Sequence, residues 1–467
     1  VLDERNVLRA VSMQTWDALV IGSGQAGVPL AVALARANRR TAIVERADVG
    51  GTCINVGCTP TKTLVASARV AALAGRAAEY GLEPLSPRAR WPEVREREQS
   101  VVRQFRAGGE RRLRDAGATL LRGEARFIGP RRIRVTARDG TTEEHSAPLV
   151  VLNTGVRPRV PELEGLASVK TLDSSSILTV PEFPSRLLIL GGGFIALELG
   201  QIFRRLGAEV TIVEGGPRLA AREDDEISRI LEQILREDGI TLHLGARARR
   251  TGRTAAGIRL ELQSGELLEG SDLLVAVGRT PNSDALDCPA GGIALDAHGF
   301  IRVDDGLKTS AEGVYAVGDV TGAPQFTHAS YDDFRVLRAS LLGGPPRSRA
   351  GRLVPYTLFT DPQLGRVGIT EAEARARGIP IRVARLPMTS VARAIEAGET
   401  RGVLRAVVHA ETDRILGFAA LGFEGGELAS VVQTAMLGDL PWTVLKDAIY
   451  PHPGLAESLN NLFETWV

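Results

Sequence analysis

Two stretches of the chain share one pattern of apolar and glycine positions. Trp16 to Gly27 reads WDALVIGSGQAG, an unbroken apolar run that stops at glycines, and AGVPLAVALARA carries on from it as a helix. This predicts a strand, a tight turn and a helix, with Gly22, Gly24 and Gly27 in the order G-x-G-x-x-G. The next apolar run, RTAIVER, ends at Glu45. Downstream, RLLILGGGFIALELG places Gly191 and Gly193 with Ala196 in the third position, and VTIVEGG ends at Glu214. Glu214 follows Gly191 at the same interval as Glu45 follows Gly22. A carboxylate about 20 residues beyond such a turn can accept hydrogen bonds from an adenosine ribose. Two units of this kind predict two dinucleotides, with electrons passing between them.

Other apolar runs complete the two units. LVVLNTGVRPRVP, around Thr154 and Gly155, and DLLVAVGRTPN, from Asp272 to Asn282 with Gly278, each read as a strand and turn behind a glycine motif. GVYAVGDV is another strand, ending in a glycine and a carboxylate at Asp319. Trp91 to Arg114 is charged and predicts a helix with a solvated face. Past the Gly-Pro-Pro stretch near Gly344, VPYTLFT, IRVARLP, GVLRAVVHA and RILGFAAL predict strands, and a helix-rich tail follows. Strands grouped before helices argue for a separate α+β domain.

Composition narrows the classes of function. A chain of 467 residues with net charge +1 has no electrostatic footprint for nucleic acid. Three cysteines, Cys53, Cys58 and Cys288, are too few for a secreted disulfide scaffold and fit a cytoplasmic protein better. No run is long and apolar enough for a membrane span, and the segment before Trp16, too charged for a signal peptide, reads as a loosely held extension. Basic charge is nearly all arginine, which makes Lys62, close to two of the cysteines, notable.

Those cysteines lie in GGTCINVGCTPTK, Gly50 to Lys62. Pro60 and the Ala-rich run from Leu64 to Leu73 predict that the pair sits at the start of a helix. A helix end stabilises a charge by roughly 0.3–1 kcal/mol, or ~2 when partly buried, so it moves a thiol by about one pKa unit. A working thiolate therefore needs further help from a cation, an imidazole or an electron-poor ring. The tail supplies YPHPGLAES: Pro453 can open a helix from which Glu457 reaches back to one nitrogen of His452, leaving the other to exchange protons with a thiol.

GGTCINVGCTPTK resembles the redox-active segment of the flavoprotein disulfide reductases, the family of dihydrolipoamide dehydrogenase, glutathione reductase and mercuric reductase, and the resemblance covers nearly the whole chain from Trp16. It implies an α/β fold with two Rossmann-like dinucleotide-binding domains and a C-terminal α+β dimerisation domain. The expected bounds are 1–157 for the first part of the FAD domain, with 1–15 flexible, 158–279 for the NAD(P) domain, 280–347 for the second part of the FAD domain, and 348–467 for dimerisation.

By the same resemblance FAD is held by Gly22, Gly24, Gly27, Glu45, Gly51, Thr52, Lys62, Thr154, Gly155 and Asp319, the last at the ribityl chain. Gly191, Gly193, Glu198, Glu214 and Gly278 hold the pyridine nucleotide. Glu214 would repel a 2′-phosphate, so NADH is expected, although Arg218 and Arg222 just beyond could admit NADPH. Glu198 pairs with Lys62 against the flavin N5 edge, Cys58 forms the charge-transfer thiolate, and Cys53 is the interchange thiol. His452, held by Glu457, comes from the partner of a homodimer as acid and base. His328, in QFTHAS, falls where the family's chain passes the flavin ring, with a helix-start role as the plainer alternative. Tyr331 and Tyr450 are candidate substrate-pocket residues without a matched role, with plain packing as the better reading, and the role of Cys288 is open.

GDVTGAPQFTHASYDDFRVLR and HPGLAESLNNLF look most like the mercuric-reductase-like branch that includes the reactive-chlorine-resistance flavoproteins. This implies electrons passing from NADH through FAD and the Cys53–Cys58 disulfide to a disulfide or a soft metal ion such as Hg(II) or Cu(II). Cys53 and Cys58 are then ligands of a substrate metal, with no structural metal site. Dihydrolipoamide dehydrogenase is the alternative, and a thiol-independent NADH oxidase or quinone reductase a further one.

Overall fold

The computed structural model describes residues 13–467 except positions 84, 86, 87 and 256. They divide into two compact units. One comprises the described residues up to Thr59 with Ser100–Arg157 and Arg279–Arg352, and the other Pro60–Gln99, Pro158–Gly278 and Leu353–Val467.

The first unit is built on a five-stranded parallel sheet in the order Val314–Ala316, Leu149–Leu152, Ala18–Ile21, Thr41–Glu45, Thr119–Arg122. Its central strands are buried along their whole length. That burial is why they read as unbroken apolar runs rather than as alternation. The helix Gly27–Arg36 buries Val28, Leu30, Ala31 and Leu34 on one stripe, and these share a core with Phe334 and Leu337 of the helix Thr327–Leu342. Each such large side chain contributes roughly 1.5–3 kcal/mol on burial. A second sheet of four strands contains Met13–Thr15, paired in parallel with Thr142–Ser146. Met13–Thr15 is thus tied down rather than loose, and the rest of the expected flexible extension, 1–12, lies outside the described residues.

The second unit holds another parallel sheet, ordered Thr171–Leu172, Asp272–Val275, Arg186–Leu190, Glu209–Glu214, Thr241–Leu244. It also has a three-stranded antiparallel sheet, Ala248–Thr254, Gly257–Leu262 and Leu267–Gly270. The C-terminal part is a five-stranded antiparallel sheet in the order Tyr356–Leu358, Gln363–Gly368, Ile415–Gly422, Val403–His409, Ile381–Pro387. Leu428 and Val432 of the helix Gly425–Leu437 join Leu404, Ala406 and Phe418 in its core. Gln363–Gly368 was missing from the strands read in the sequence, because QLGRVG contains two glycines and the buried Arg366. No helix among the described residues is long and apolar enough to cross a membrane.

Candidate active site

In the first unit the glycine turn is packed against a single asparagine. Gly22 has φ +97°, and a Cβ there would lie 2.3 Å from the carbonyl oxygen of Asn153. The Asn153 side chain accepts from the Gly27 amide at 2.9 Å and donates to the Val317 carbonyl at 3.1 Å, so it ties the turn to two strand ends. Glu45, 9% exposed, accepts from the Ser23 amide at 3.0 Å and the Ser23 hydroxyl at 2.6 Å through Oε2, and from the Ala47 amide at 2.9 Å through Oε1. The Gly50 amide in turn donates to Ser23 Oγ at 3.1 Å, so Glu45, the turn and the head of the cysteine segment form one network.

The cysteine segment corrects one expectation. Cys53 and Cys58 do not share a helix start: Cys53 lies inside a short helix, Gly51–Val56, and Cys58 is the first residue of Cys58–Gly75. Gly57 separates the two helices in a conformation that neither can continue (φ −134°, ψ −116°). Cys53 is half-buried and Cys58 exposed. The Cys58 sulfur lies 3.2 Å from Thr327 Oγ1, at the head of the helix Thr327–Leu342. Asn55 folds back onto the carbonyls of Asp48, Val49 and Gly51 at 3.1, 3.2 and 3.0 Å, and Arg106 holds it from outside at 3.0 Å.

The residues of this unit fit FAD by their chemistry. Thr154 presents a buried hydroxyl that has no hydrogen-bond partner among the described residues, while its carbonyl accepts from Asn282 at 2.8 Å. Gly155 has φ +64°. Burial pushes the Asp319 carboxyl up to about 6, with Arg279 opposing, and such a group can donate to or accept from a polyol hydroxyl. Gly51 packs against the turn so closely that a Cβ would meet Gly24 Cα at 2.8 Å, and Thr52 follows it in the first turn of the short helix.

In the second unit Gly191 has φ +109°, and a Cβ there would meet the Ala276 carbonyl oxygen at 2.5 Å. Glu214 accepts from the Gly192 amide at 2.5 Å and the Gly216 amide at 2.6 Å, and a Cβ on Gly193 would meet nothing within 4 Å. The open space at Gly193, at the head of the helix Phe194–Arg205, suits a pyrophosphate. Arg218 is ion-paired with Asp225, and Arg222 is exposed. Gly278 has φ +117° with open space beside it.

Lys62 lies four residues beyond Cys58 on the same helix, and its Nζ is 2.7 Å from Glu198 Oε2. The other oxygen of Glu198 accepts from the Phe359 amide at 2.8 Å, and Lys62 Nζ stands 4.8 Å above the centre of the Phe359 ring. His452 Nδ1 is 2.9 Å from Glu457 Oε2. With its proton on Nδ1, the ring keeps Nε2 as its basic atom. Pro453 does not open a helix, contrary to expectation. Gly454 is extended (φ −114°, ψ 148°), and the helical turn begins at Leu455, which still carries Glu457 to the imidazole.

Several residues outside this arrangement have structural surroundings. His328 is the second residue of its helix, with its ring stacked on Phe326 at 5.4 Å. Tyr331 packs on Phe334 under Arg335, and Tyr450 packs on the C-terminal core. Cys288 is 1% exposed, and burial pushes its thiol up to about 11. Sequence reasoning did not single out Ser23, Asn55, Asn153, Thr327 or Phe359. Asn55 stood inside the quoted cysteine segment and Asn153 directly before Thr154, so adjacency to a motif was the available signal.

The model of the pyridine nucleotide-disulphide oxidoreductase family matches residues 16–333, and that of its dimerisation domain 354–463. The chain is 37% identical to the probable pyridine nucleotide-disulfide oxidoreductase RclA of Escherichia coli, over 97% of this chain and 99% of the relative. The solved Cu(II) complex of that HOCl-induced flavoprotein disulfide reductase superposes with a TM-score of 0.89 at 36% identity, covering 97% of this chain and 99% of the other. A dihydrolipoyl dehydrogenase of Thermus scotoductus is 35% identical over 96% of both chains. A mercuric reductase of Staphylococcus aureus is 33% identical over 95% of this chain and 81% of its own. The family implies FAD and a pyridine nucleotide, and the dimerisation domain supports a homodimer. The chain belongs to the pyridine nucleotide-disulphide oxidoreductases, enzymes of α/β fold with a C-terminal dimerisation domain.

Proposed function

We propose that this enzyme takes electrons from NADH and delivers them through Cys53 and Cys58 to a soft metal ion or a disulfide, acceptor classes that the mercuric reductase and disulfide reductase relatives are named for. The observation that carries the reading is the pair itself: a half-buried Cys53 on one short helix, and an exposed Cys58 heading the helix that bears Lys62. FAD held by the first glycine turn would supply two-electron chemistry between the nucleotide's hydride and the cysteine disulfide. Lys62 and Glu198 hold each other in place, with Glu198 anchored on the Phe359 amide.

For a disulfide substrate, the Cys53 thiolate attacks one sulfur to form a mixed disulfide, and His452 protonates the thiolate that leaves. Cys58 then attacks Cys53, the Cys53–Cys58 disulfide closes, and the second thiolate leaves with a proton from solvent. For a soft metal ion we take the two thiolates as the ligands by their chemistry, and a relative has been solved as a Cu(II) complex. In the homodimer His452 serves the partner's pair. Glu214, with Arg218 committed to Asp225, favours NADH over NADPH. Dihydrolipoamide oxidation is the second reading, favoured by the His452–Glu457 pair at 2.9 Å.

The test is the anaerobic initial rate of NADH oxidation by the FAD-loaded enzyme, with lipoamide or with Cu(II) or Hg(II), each beside Cys53→Ser. Turnover with metal that Cys53→Ser abolishes is the expected result. Fast lipoamide turnover alone would transfer the enzyme to the dihydrolipoamide dehydrogenases. Full activity of Cys53→Ser with every acceptor would remove the thiols from the mechanism.

A further inference from the structure

The mechanism leaves one buried polar cluster unused. Tyr356, on the first strand of the C-terminal sheet, donates its hydroxyl to Glu223 Oε1 at 2.5 Å. The Glu223 side chain is fully buried, 3.3 Å from an Arg366 guanidinium nitrogen that also meets Asp224 at 2.7 Å. Removing charges from water is costly before pairing repays it, so a cluster of two carboxylates and one guanidinium is poorly suited to plain core filling. Burial pushes the carboxyl of Glu223 up, and the phenol of Tyr356 up as well, which keeps the proton on the phenol and the hydroxyl donating.

The cluster lies between the two walls of the second glycine turn. One wall is the helix start: Phe194 follows Gly193 directly, and its ring centre is 5.4 Å from that of Tyr356. The other wall is the loop after Glu214. Its Ala220 amide donates to the Gly192 carbonyl at 2.9 Å, Leu219 stands 3.0 Å from where a Gly192 Cβ would be, and the Glu223 amide closes back on Ala220 at 2.8 Å. Tyr356 touches one wall with its ring and the other with its hydroxyl.

We propose that Tyr356 is a positioning residue for the pyridine nucleotide: supplied by the dimerisation domain, it braces Phe194 against Glu223 and so fixes the opening of the cradle around Gly191 and Gly193. The proposal rests on the reading that this turn receives NADH.

The test is anaerobic stopped-flow reduction of the FAD-loaded enzyme by NADH. Tyr356→Phe keeps the ring and removes the hydroxyl. The NADH concentration giving half the limiting rate rises about threefold to tenfold, the span of one ordinary hydrogen bond, while the limiting rate stays within about twofold. The half-saturating concentration of the electron acceptor in turnover does not move. Glu223→Gln still offers the phenol an acceptor and stays within about twofold of the parent enzyme in NADH half-saturation.

An unchanged NADH half-saturation in Tyr356→Phe overturns the brace. So does an equal rise for nucleotide and acceptor with a lowered melting temperature, which marks a merely structural contact. A rise of about threefold or more in the NADH half-saturation of Glu223→Gln also overturns it, and this absolute criterion keeps the brace open to refutation if Tyr356→Phe does not fold. Failure of the parent enzyme to be reduced by NADH would instead overturn the proposed function.

Discussion

The two glycine turns share their spacing and their glutamates, yet protein atoms crowd all three glycines of the first and leave the second open at its middle glycine. Around Gly22, Gly24 and Gly27, an added Cβ would come within 2.3, 2.7 and 2.1 Å of existing oxygen atoms. At Gly193 it would meet nothing within 4 Å. The carboxylates differ in the same sense. Glu45 is 9% exposed and bound to Ser23 through both backbone and side chain, whereas Glu214 is partly exposed and holds two glycine amides of its own unit. A preorganised, closed cradle suits a group that stays bound, because little is left to order on binding. An open one suits a nucleotide that must leave after every turnover.

The largest effect expected from this difference is at Gly22. Alanine there combines a positive φ with a Cβ placed 2.3 Å from the Asn153 carbonyl oxygen, and this backbone cannot yield without disturbing Gly27 and Val317. Gly22→Ala should cost more than about 4 kcal/mol, enough to remove most folded, flavin-bearing protein. The yield of yellow protein and its denaturant midpoint check this. A stable Gly22→Ala that keeps its flavin would show the first turn to be as open as the second.

Next in size is Glu214. Its removal releases the Gly192 and Gly216 amides and, on the proposed reading, deletes a hydrogen-bond acceptor for a ribose hydroxyl. Glu214→Ala should lower kcat/KM for NADH about tenfold, near 1.4 kcal/mol, and change NADPH much less. Steady-state kinetics with both nucleotides measure it. A parent enzyme that prefers NADPH tenfold would reverse the assignment of this carboxylate.

Much of this arrangement was legible because its signals are local. Buried parallel strands read as apolar runs, and the glycines, Glu45, Glu214 and the cysteine segment sit at fixed intervals along the chain. What escaped was set by contacts between distant segments. Asn153 acts on Gly27 through the fold, Thr327 meets Cys58 across much of the sequence, and Phe359 seats the Lys62–Glu198 pair from a segment far along the chain. The helix break at Gly57 was missed because Pro60 marks a helix start as well for two short segments as for one. Pro453 misled in a related way: an extended Gly454 delays the turn to Leu455, although Glu457 keeps its hold on His452.

The smallest change in folding tests the comparison most sharply. Gly193 has φ −84° and ψ 177°, a conformation that alanine adopts without strain, and its Cβ would point into open space. Gly193→Ala should therefore leave stability unchanged or raise it by about 0.4–1 kcal/mol, since alanine has less unfolded-state freedom to lose. If that space receives the pyrophosphate, the same methyl stands where phosphate oxygens must approach the backbone. KM for NADH should then rise severalfold while flavin content stays at the parent level. Thermal melts and NADH titrations on one preparation separate the two effects. An unchanged KM would mean that the opening at Gly193 is not where the nucleotide lies, and the contrast between the two turns would lose its functional meaning.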